Sequence, residues 1–286
     1  MSVSRRTIAS PVRLSGTGLF TGEPAGIEIR PSPEPLGLRF VHANETIPVH
    51  IRSLSDRPVH PAFEHMAPRC TSIGSGTTNI ATIEHLMSAL VGLGITDAAL
   101  KLTGPEVPIL DGSALPFVAA VLDAGTQTLD QSVEPIRPTE TIRVEHNGAS
   151  ITIEPAGSPS YAYTLDYGPG SPIAAATARW SGDREGYIDL VAPARTFCLQ
   201  TEADAMHKAG LFTHLTTQDM LVVGESGPID NGFRFPNECA AHKLLDLIGD
   251  LALVGAPLCA RVTAEKSGHA LTHRAARAIL EQINAD

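Results

Sequence analysis

Apolar and polar residues alternate with period two in Gly26-Ile-Glu-Ile-Arg30-Pro31, which predicts a half-buried strand ended by proline. Shorter strands are expected at 38–41 and 46–51. Residues 56–76 are polar, carry His60 and His65, and read as an irregular insertion. Ala81-Thr-Ile-Glu84-His85-Leu-Met-Ser-Ala-Leu-Val91 then has good helix propensity, with Gly92 and Gly94 able to end the helix. A strand at 97–102, a turn at Pro108-Ile-Leu-Asp111-Gly112-Ser113 and an apolar helix at 114–124, stopped by Gly125, follow.

Residues 126–139 show little periodicity, contain Pro135 and Pro138, and read as a linker. After them the pattern restarts. Ser150-Ile-Thr-Ile-Glu154-Pro155 repeats the apolar-x-apolar-charge-Pro form of Ile27-Glu-Ile-Arg30-Pro31. A helix carrying His242 follows, as one carrying His85 did. Then come a strand at 258–262, a turn at Lys266-Ser-Gly-His269 and a last helix at 270–283. Each half runs strands, helix, strand, turn, helix, which implies a duplication. The expected units are 1–127, with the insertion at 56–76, and 128–286, with a longer insertion at 197–232. Long insertions in compact domains tend to be functional.

The helix of the second half carries the clearest chemical pattern. In Cys239-Ala-Ala-His242-Lys-Leu-Leu-Asp246-Leu-Ile-Gly-Asp250, residues 242, 246 and 250 fall at i, i+4 and i+8 on one face. The remaining positions are mostly apolar. Two readings stand at this stage: a surface helix with an acidic edge, or a buried helix whose charges need partners or a metal.

Composition narrows the classes. The chain has 286 residues, is 43% hydrophobic and has a net charge of -10. A nucleic-acid binder would need a basic stripe. An anionic substrate would need local Lys, Arg or His. Aromatics make up 5%, too few for a stacking platform. No apolar segment follows Ser4-Arg5-Arg6, so no signal peptide is visible, and no apolar run is long enough to span a membrane. Cys70, Cys198, Cys239 and Cys259 are far apart and make no C-x-x-C pair, which disfavours a zinc ribbon or disulfide scaffold and suits a reducing cytoplasm.

If the halves pack face to face, their equivalent helices meet. His85, His242 and Asp246 would then form a catalytic zinc set with an open coordination position. Glu84, beside a ligand in sequence, is the candidate general base for a zinc-activated water. His269 is a candidate acid or electrostatic stabiliser, and Asp250 could hydrogen-bond it and keep it charged. His42, His50, His60, His65, His146, His207, His214 and His273 lack a matching partner and read as surface residues. The Gly-rich turn Ser15-Gly-Thr-Gly-Leu-Phe-Thr-Gly22 does not fit the P-loop pattern.

The chain resembles the UDP-3-O-acyl-N-acetylglucosamine deacetylase family. The resemblance rests on Thr82-Ile-Glu84-His85-Leu-Met-Ser-Ala-Leu-Val-Gly-Leu-Gly-Ile, Pro105-Glu-Val-Pro-Ile-Leu-Asp111-Gly-Ser-Ala, Ala192-Pro-Ala-Arg-Thr196-Phe197, His242-Lys-Leu-Leu-Asp246-Leu-Ile-Gly-Asp250-Leu and Lys266-Ser-Gly-His269-Ala-Leu, in order along essentially the whole chain. It implies an α+β fold of two similar two-layer α/β sandwich domains, helices together, with the site between them. It implies one catalytic Zn2+ on His85, His242 and Asp246, Glu84 as base, His269 as acid supported by Asp250, and Thr196 as a donor to the oxyanion. It further implies that Lys243 and Lys266 face the phosphates and that Asp166 and Tyr167 meet uridine. Phe197, Leu199, Met206, Leu211 and Phe212 would contact the substrate, the insertion forming a passage for its acyl chain.

Departures from the family pattern fall in substrate-contacting regions: Phe20 where His is usual, Glu154 where Lys is usual, Gly168-Pro169, Thr216-Thr217-Gln218 and Phe197-Cys198-Leu199. The implied activity is zinc-dependent removal of acetate from the acylated UDP-sugar in lipid A biosynthesis. A related deacetylase with another N-acetylated substrate, or a non-catalytic nucleotide-sugar or lipid binder, are the alternatives. The expected partner is the small-molecule substrate, with no nucleic acid and at most peripheral contact with the inner face of the cytoplasmic membrane. A monomer is expected.

Overall fold

The computed structural model describes residues 2–285. Two five-stranded sheets share one wiring. The first contains β1 (Val12–Thr17), β2 (Pro24–Pro31), β3 (Leu38–His42), β4 (Glu45–Pro48) and β5 (Ala98–Thr103), in the spatial order β1-β2-β5-β3-β4. The second contains β6 (Ile142–His146), β7 (Ala149–Pro155), β8 (Ser160–Leu165), β9 (Ala176–Trp180) and β10 (Ala260–Glu265), in the order β6-β7-β10-β8-β9. In each sheet one neighbouring pair is parallel, β3 with β5 and β8 with β10, and the other pairs are antiparallel. The duplication expected from element order is therefore present as topology.

The alternation read in the sequence has its physical origin here. Ile27 and Ile29 of β2 point into the core while Glu28 and Arg30 face outward and pair with each other. Helices cover the inner faces: α1 (Glu84–Gly92) and α2 (Leu115–Ala124) in the first half, α4 (Glu238–Leu251) and α5 (His269–Ala285) in the second. The insertion contributes α3 (Gln200–Lys208) and a small sheet of Phe197–Leu199, Leu221–Gly224 and Gly227–Pro228.

Helices α1 and α4 pack against each other and join the halves. One apolar core runs through both, from Ile29 and Phe40 through Leu86 and Leu90 to Leu244, Ile248 and Val262. Every residue of α4 except Lys243 is buried, so the surface-helix alternative is excluded. The crossing depends on Gly249. A Cβ placed there would lie 2.0 Å from the Glu84 carbonyl oxygen, so only a glycine lets the two backbones approach this closely.

Four features differ from the pattern reading. Thr126–Val133, in the expected linker, is a strand antiparallel to Val3–Ile8. Its side chains are mostly exposed, so its backbone pairing leaves no hydrophobic period to detect. Helix α1 begins at Glu84, not at residue 81, because Thr82 is left-handed (φ 58°) and breaks the helical path. The Gly-rich turn does bind an anion, but an internal one. The Phe20 and Thr21 N–H groups and the Thr21 hydroxyl donate to the carboxylate of buried Glu106, which also accepts from Thr82 Oγ1 at 2.6 Å. Finally, His273 is 4% exposed and belongs to the interior, not the surface.

Candidate active site

The start of α1 and the middle of α4 bring two histidines and a carboxylate together. His85, His242 and Asp246 are buried, and their ligand atoms lie within 4.8 Å of one another. His242 Nε2 is 3.4 Å and His85 Nε2 is 3.7 Å from Asp246 Oδ1. Two bonds of about 2.1 Å at a tetrahedral angle separate their ligand atoms by about 3.4 Å, so the spacing suits one shared ion better than direct contact. The two imidazole rings stand perpendicular, 5.0 Å apart. The Ala194 carbonyl, 3.1 Å from His242 Nδ1, accepts a hydrogen bond from it, which keeps the proton on Nδ1 and leaves the Nε2 lone pair facing the cluster. His85 Nδ1 is buried without a hydrogen-bond partner.

Electrostatics match a cation. Burial, with His242 alongside, pushes His85 down to about 3, and burial also lowers His242, so both rings are neutral at neutral pH, the form that can ligate a metal. Burial opposes ionisation of Asp246, but Lys243, His242 and His269 hold its carboxyl below the ordinary range. The donor set of two neutral imidazoles and one carboxylate therefore fits a divalent metal.

Glu84, the first residue of α1, is 3% exposed. Burial pushes its carboxyl up to about 8, with Asp250 and Asp246 adding to the shift and His269 opposing it. Its Oε2 accepts from the Thr71 backbone N–H at 3.0 Å. His269 opens α5, where Ser267-Gly268 turns the chain after β10. Its Nδ1 donates to Asp250 Oδ2 at 2.9 Å, and its Nε2 lies 4.0 Å from Asp246 Oδ2. Burial works against the charged ring, yet Asp250 raises its pKa to about 9.

These groups open into one cavity of about 910 Å³. Thr196, Phe197, Lys243, Lys266, Asp166 and Tyr167 also line it. Thr196 is fixed by its own backbone, which donates to Gly112 O at 2.7 Å and accepts from Leu221 N at 2.8 Å. A Cβ on Gly112 would meet the Asp219 carbonyl at 2.5 Å, so this glycine seats the insertion against the turn of the first half. Lys266 Nζ contacts Asp166 Oδ2 at 2.8 Å, and Lys243 Nζ contacts Asp246 Oδ2 at 2.7 Å. Phe197 meets His242 and Tyr167 edge-on.

The apolar arm of the cavity includes Leu19, Phe20, Met66, Met206, Phe212 and Met220. Phe20 packs edge-on against Phe63 and Phe212. Leu211 supports this cluster from behind, and Leu199 packs on the main core, so neither lines the cavity. Sequence reasoning passed over Thr71 and the cavity-lining Tyr163, and read the buried His273 as a surface residue. No local sequence signal marks Thr71, because the side-chain partners of its hydroxyl, Asp250, His269 and His273, lie 179, 198 and 202 residues along the chain.

A metal-ready histidine–carboxylate set, with a buried carboxylate and a charged histidine beside it, defines a metal-dependent hydrolase. A family model described as UDP-3-O-acyl N-acetylglycosamine deacetylase matches residues 5–281, and the chain belongs to that family. Its relatives include proteins named UDP-3-O-acyl-N-acetylglucosamine deacetylase. That of Anaeromyxobacter dehalogenans is 34% identical over 288 residues, spanning 100% of this chain and 89% of the relative. That of Leptospira biflexa is 31% identical, spanning 99% and 92%. That of Myxococcus xanthus is 32% identical, spanning 98% and 87%.

The Asp250–His269 pair yields a pH test. Activity that needs a protonated His269 should fall as pH rises through about 9. Asp250→Asn removes the carboxylate that raises this pKa, so the alkaline limb of the rate profile should move to lower pH. An alkaline limb that stays in place in the variant counts against the pairing.

Proposed function

We propose that the chain removes the acetyl group from the 2-amino position of a UDP-3-O-acyl-N-acetylglucosamine, releasing acetate and a free amine, as a step of lipid A biosynthesis. Family membership across residues 5–281 supports the substrate. The observation that carries the chemistry is the convergence of Glu84, His85, His242, Asp246 and His269 on one cavity. The ion proposed is a single Zn2+, held by His85, His242 and Asp246. When bound, zinc acidifies a coordinated water and polarises a carbonyl.

Glu84 is the base that takes a proton from the attacking water. Its burial keeps its proton affinity high enough for that task. The Thr196 hydroxyl and charged His269 stabilise the negative charge that develops on the acetyl oxygen. His269 then gives its proton to the departing amine from Nε2, the nitrogen that Asp250 leaves free. Water adds to the acetyl carbon, the C–N bond breaks, and acetate leaves. Lys243 and Lys266 are assigned to the diphosphate, Asp166 and Tyr167 to uridine, and Phe197, Met206 and Phe212 to the sugar and its acyl chain. Leu211 packs against the apolar cluster of Phe20 and Phe63 that forms the acyl-chain wall, whereas Leu199 packs on the main core and takes no part in it.

The identical wiring of the two sheets supports two duplicated units, and the pairing of Thr126–Val133 with Val3–Ile8 favours a boundary after that strand rather than at 127/128. Among the described residues, no helix is long and apolar enough to cross a membrane. We place the protein in the cytoplasm as a monomer, working at the inner membrane face where an acylated product partitions. Acetate release from the acylated UDP-sugar tests the proposal. Release should require zinc, stop with a chelator and return on adding zinc. Zinc-loaded protein that releases no acetate overturns it.

A further inference from the structure

Thr71 belongs to none of the elements that carry the metal set. It lies at the end of the 56–76 insertion, just before the short strand Ile73–Ser75, and is 0% exposed. Nevertheless it touches both groups assigned to proton transfer. Its backbone N–H donates to Glu84 Oε2 at 3.0 Å. Its hydroxyl oxygen lies 2.5 Å from Asp250 Oδ1, 2.8 Å from His273 Nε2 and 3.5 Å from His269 Nδ1.

The proton positions follow from what each group can do. A hydroxyl has one proton and two lone pairs, and an ionised carboxylate only accepts. The Thr71 proton therefore goes to Asp250 Oδ1. The Thr71 oxygen must then accept from His273, which fixes the His273 proton on Nε2. His269 Nδ1 donates to the other carboxylate oxygen, Oδ2, at 2.9 Å. Asp250 is thus held at both oxygens, from two different parts of the chain, and is not free to pivot. His269 is left with one orientation, Nε2 toward Asp246 and the cavity. The chain His273–Thr71–Asp250–His269 is buried throughout, where such bonds are strong and a missing partner is costly.

We propose that Thr71 is a positioning residue for both proton-handling groups. Its backbone N–H sets Glu84, and its hydroxyl, directed by His273, sets Asp250 and through it His269. Since Thr71 comes from the first half and the other three from the second, it also registers the halves at the point of chemistry. This rests on Glu84 acting as base and His269 as acid.

The test is steady-state acetate release with zinc content measured on each protein. Thr71→Val keeps the shape and the backbone N–H but removes the hydroxyl. We expect kcat to fall by about 10–100-fold, the usual effect of losing a supporting hydrogen bond to an active group, with KM and zinc content unchanged. Thr71→Ser, which restores the hydroxyl, should recover most of kcat. In an Asp250→Asn background, Thr71→Val should cost little more, because its route to His269 is already broken. A wild-type kcat in Thr71→Val, or losses that multiply in the double variant, overturns the inference. If Thr71→Val does not fold, His273→Leu decides: it removes the donor that directs the hydroxyl and should lower kcat at constant KM, and an unchanged kcat overturns the inference. A zinc-loaded wild-type protein without acetate release overturns the proposed function instead, and is recognised before any variant is made.

Discussion

Glu84→Gln should lose about 10²–10⁴-fold in kcat, the range of a lost general base, while still binding one zinc per chain. The amide keeps the volume of the carboxylate and can still accept from Thr71 N–H, so the site stays formed. The same substitution should stabilise the metal-free protein. The direction follows from proton binding. Burial raises the folded carboxyl to about 8 from an ordinary value of 4.5, so the unfolded chain ionises first. Wild-type stability therefore drops as pH rises from about 4.5 to about 8, and the glutamine variant escapes that drop. Melting both proteins without metal should show a difference near zero at pH 4 that grows to pH 8. Full turnover in the variant would remove Glu84 from the mechanism, and a pH-independent difference would remove the burial account of its pKa. A gain in stability with a loss of activity is what a strained functional group predicts.

Gly249→Ala should have the largest effect on the fold. Its added Cβ would meet the Glu84 carbonyl oxygen at 2.0 Å, the carbonyl carbon at 2.7 Å and the Cα at 2.9 Å. These are backbone atoms, so no rotamer can relieve the clash, and α1 and α4 must separate. Overpacking of this kind costs about 1–3 kcal/mol or more. Separation also pulls His85 away from His242 and Asp246, whose 3.4 and 3.7 Å spacings suit one ion. We expect a lower denaturation midpoint together with loss of zinc. Gly157→Ala is the control, since nothing lies within 4 Å of its added Cβ and its φ is ordinary. Equal stability and zinc content in the two variants would show that the helix crossing tolerates a side chain.

Both effects arise at one place, the contact between a helix of each half. The sequence alone places Glu84-His85 near the start of one helix and His242, Asp246 and Asp250 on one face of another. Helical period is a local property, and the i, i+4, i+8 spacing needs no knowledge of neighbours. The duplication was legible for the same reason. Strands with alternating burial, such as β2 and β7, repeat their pattern whatever they pack against. The resemblance to the deacetylase family likewise rests on contiguous motifs.

What the sequence by itself determined is therefore the α+β class, the two-fold repeat and which residues carry chemistry. Tertiary structure decided which of them meet. Thr71 and His273 are separated by 202 residues and lie on opposite halves, and no local period links them. The Thr126–Val133 strand is held by backbone bonds and leaves no apolar stripe. The Gly-rich turn does not fit the phosphate-loop pattern, and only packing shows that its N–H groups serve the Glu106 carboxylate, more than eighty residues away. Gly249 resembles any helical glycine until the Glu84 backbone is brought against it. Pattern along a chain reports which face of an element is apolar; only packing reports what that face finds, and the site is made of such meetings.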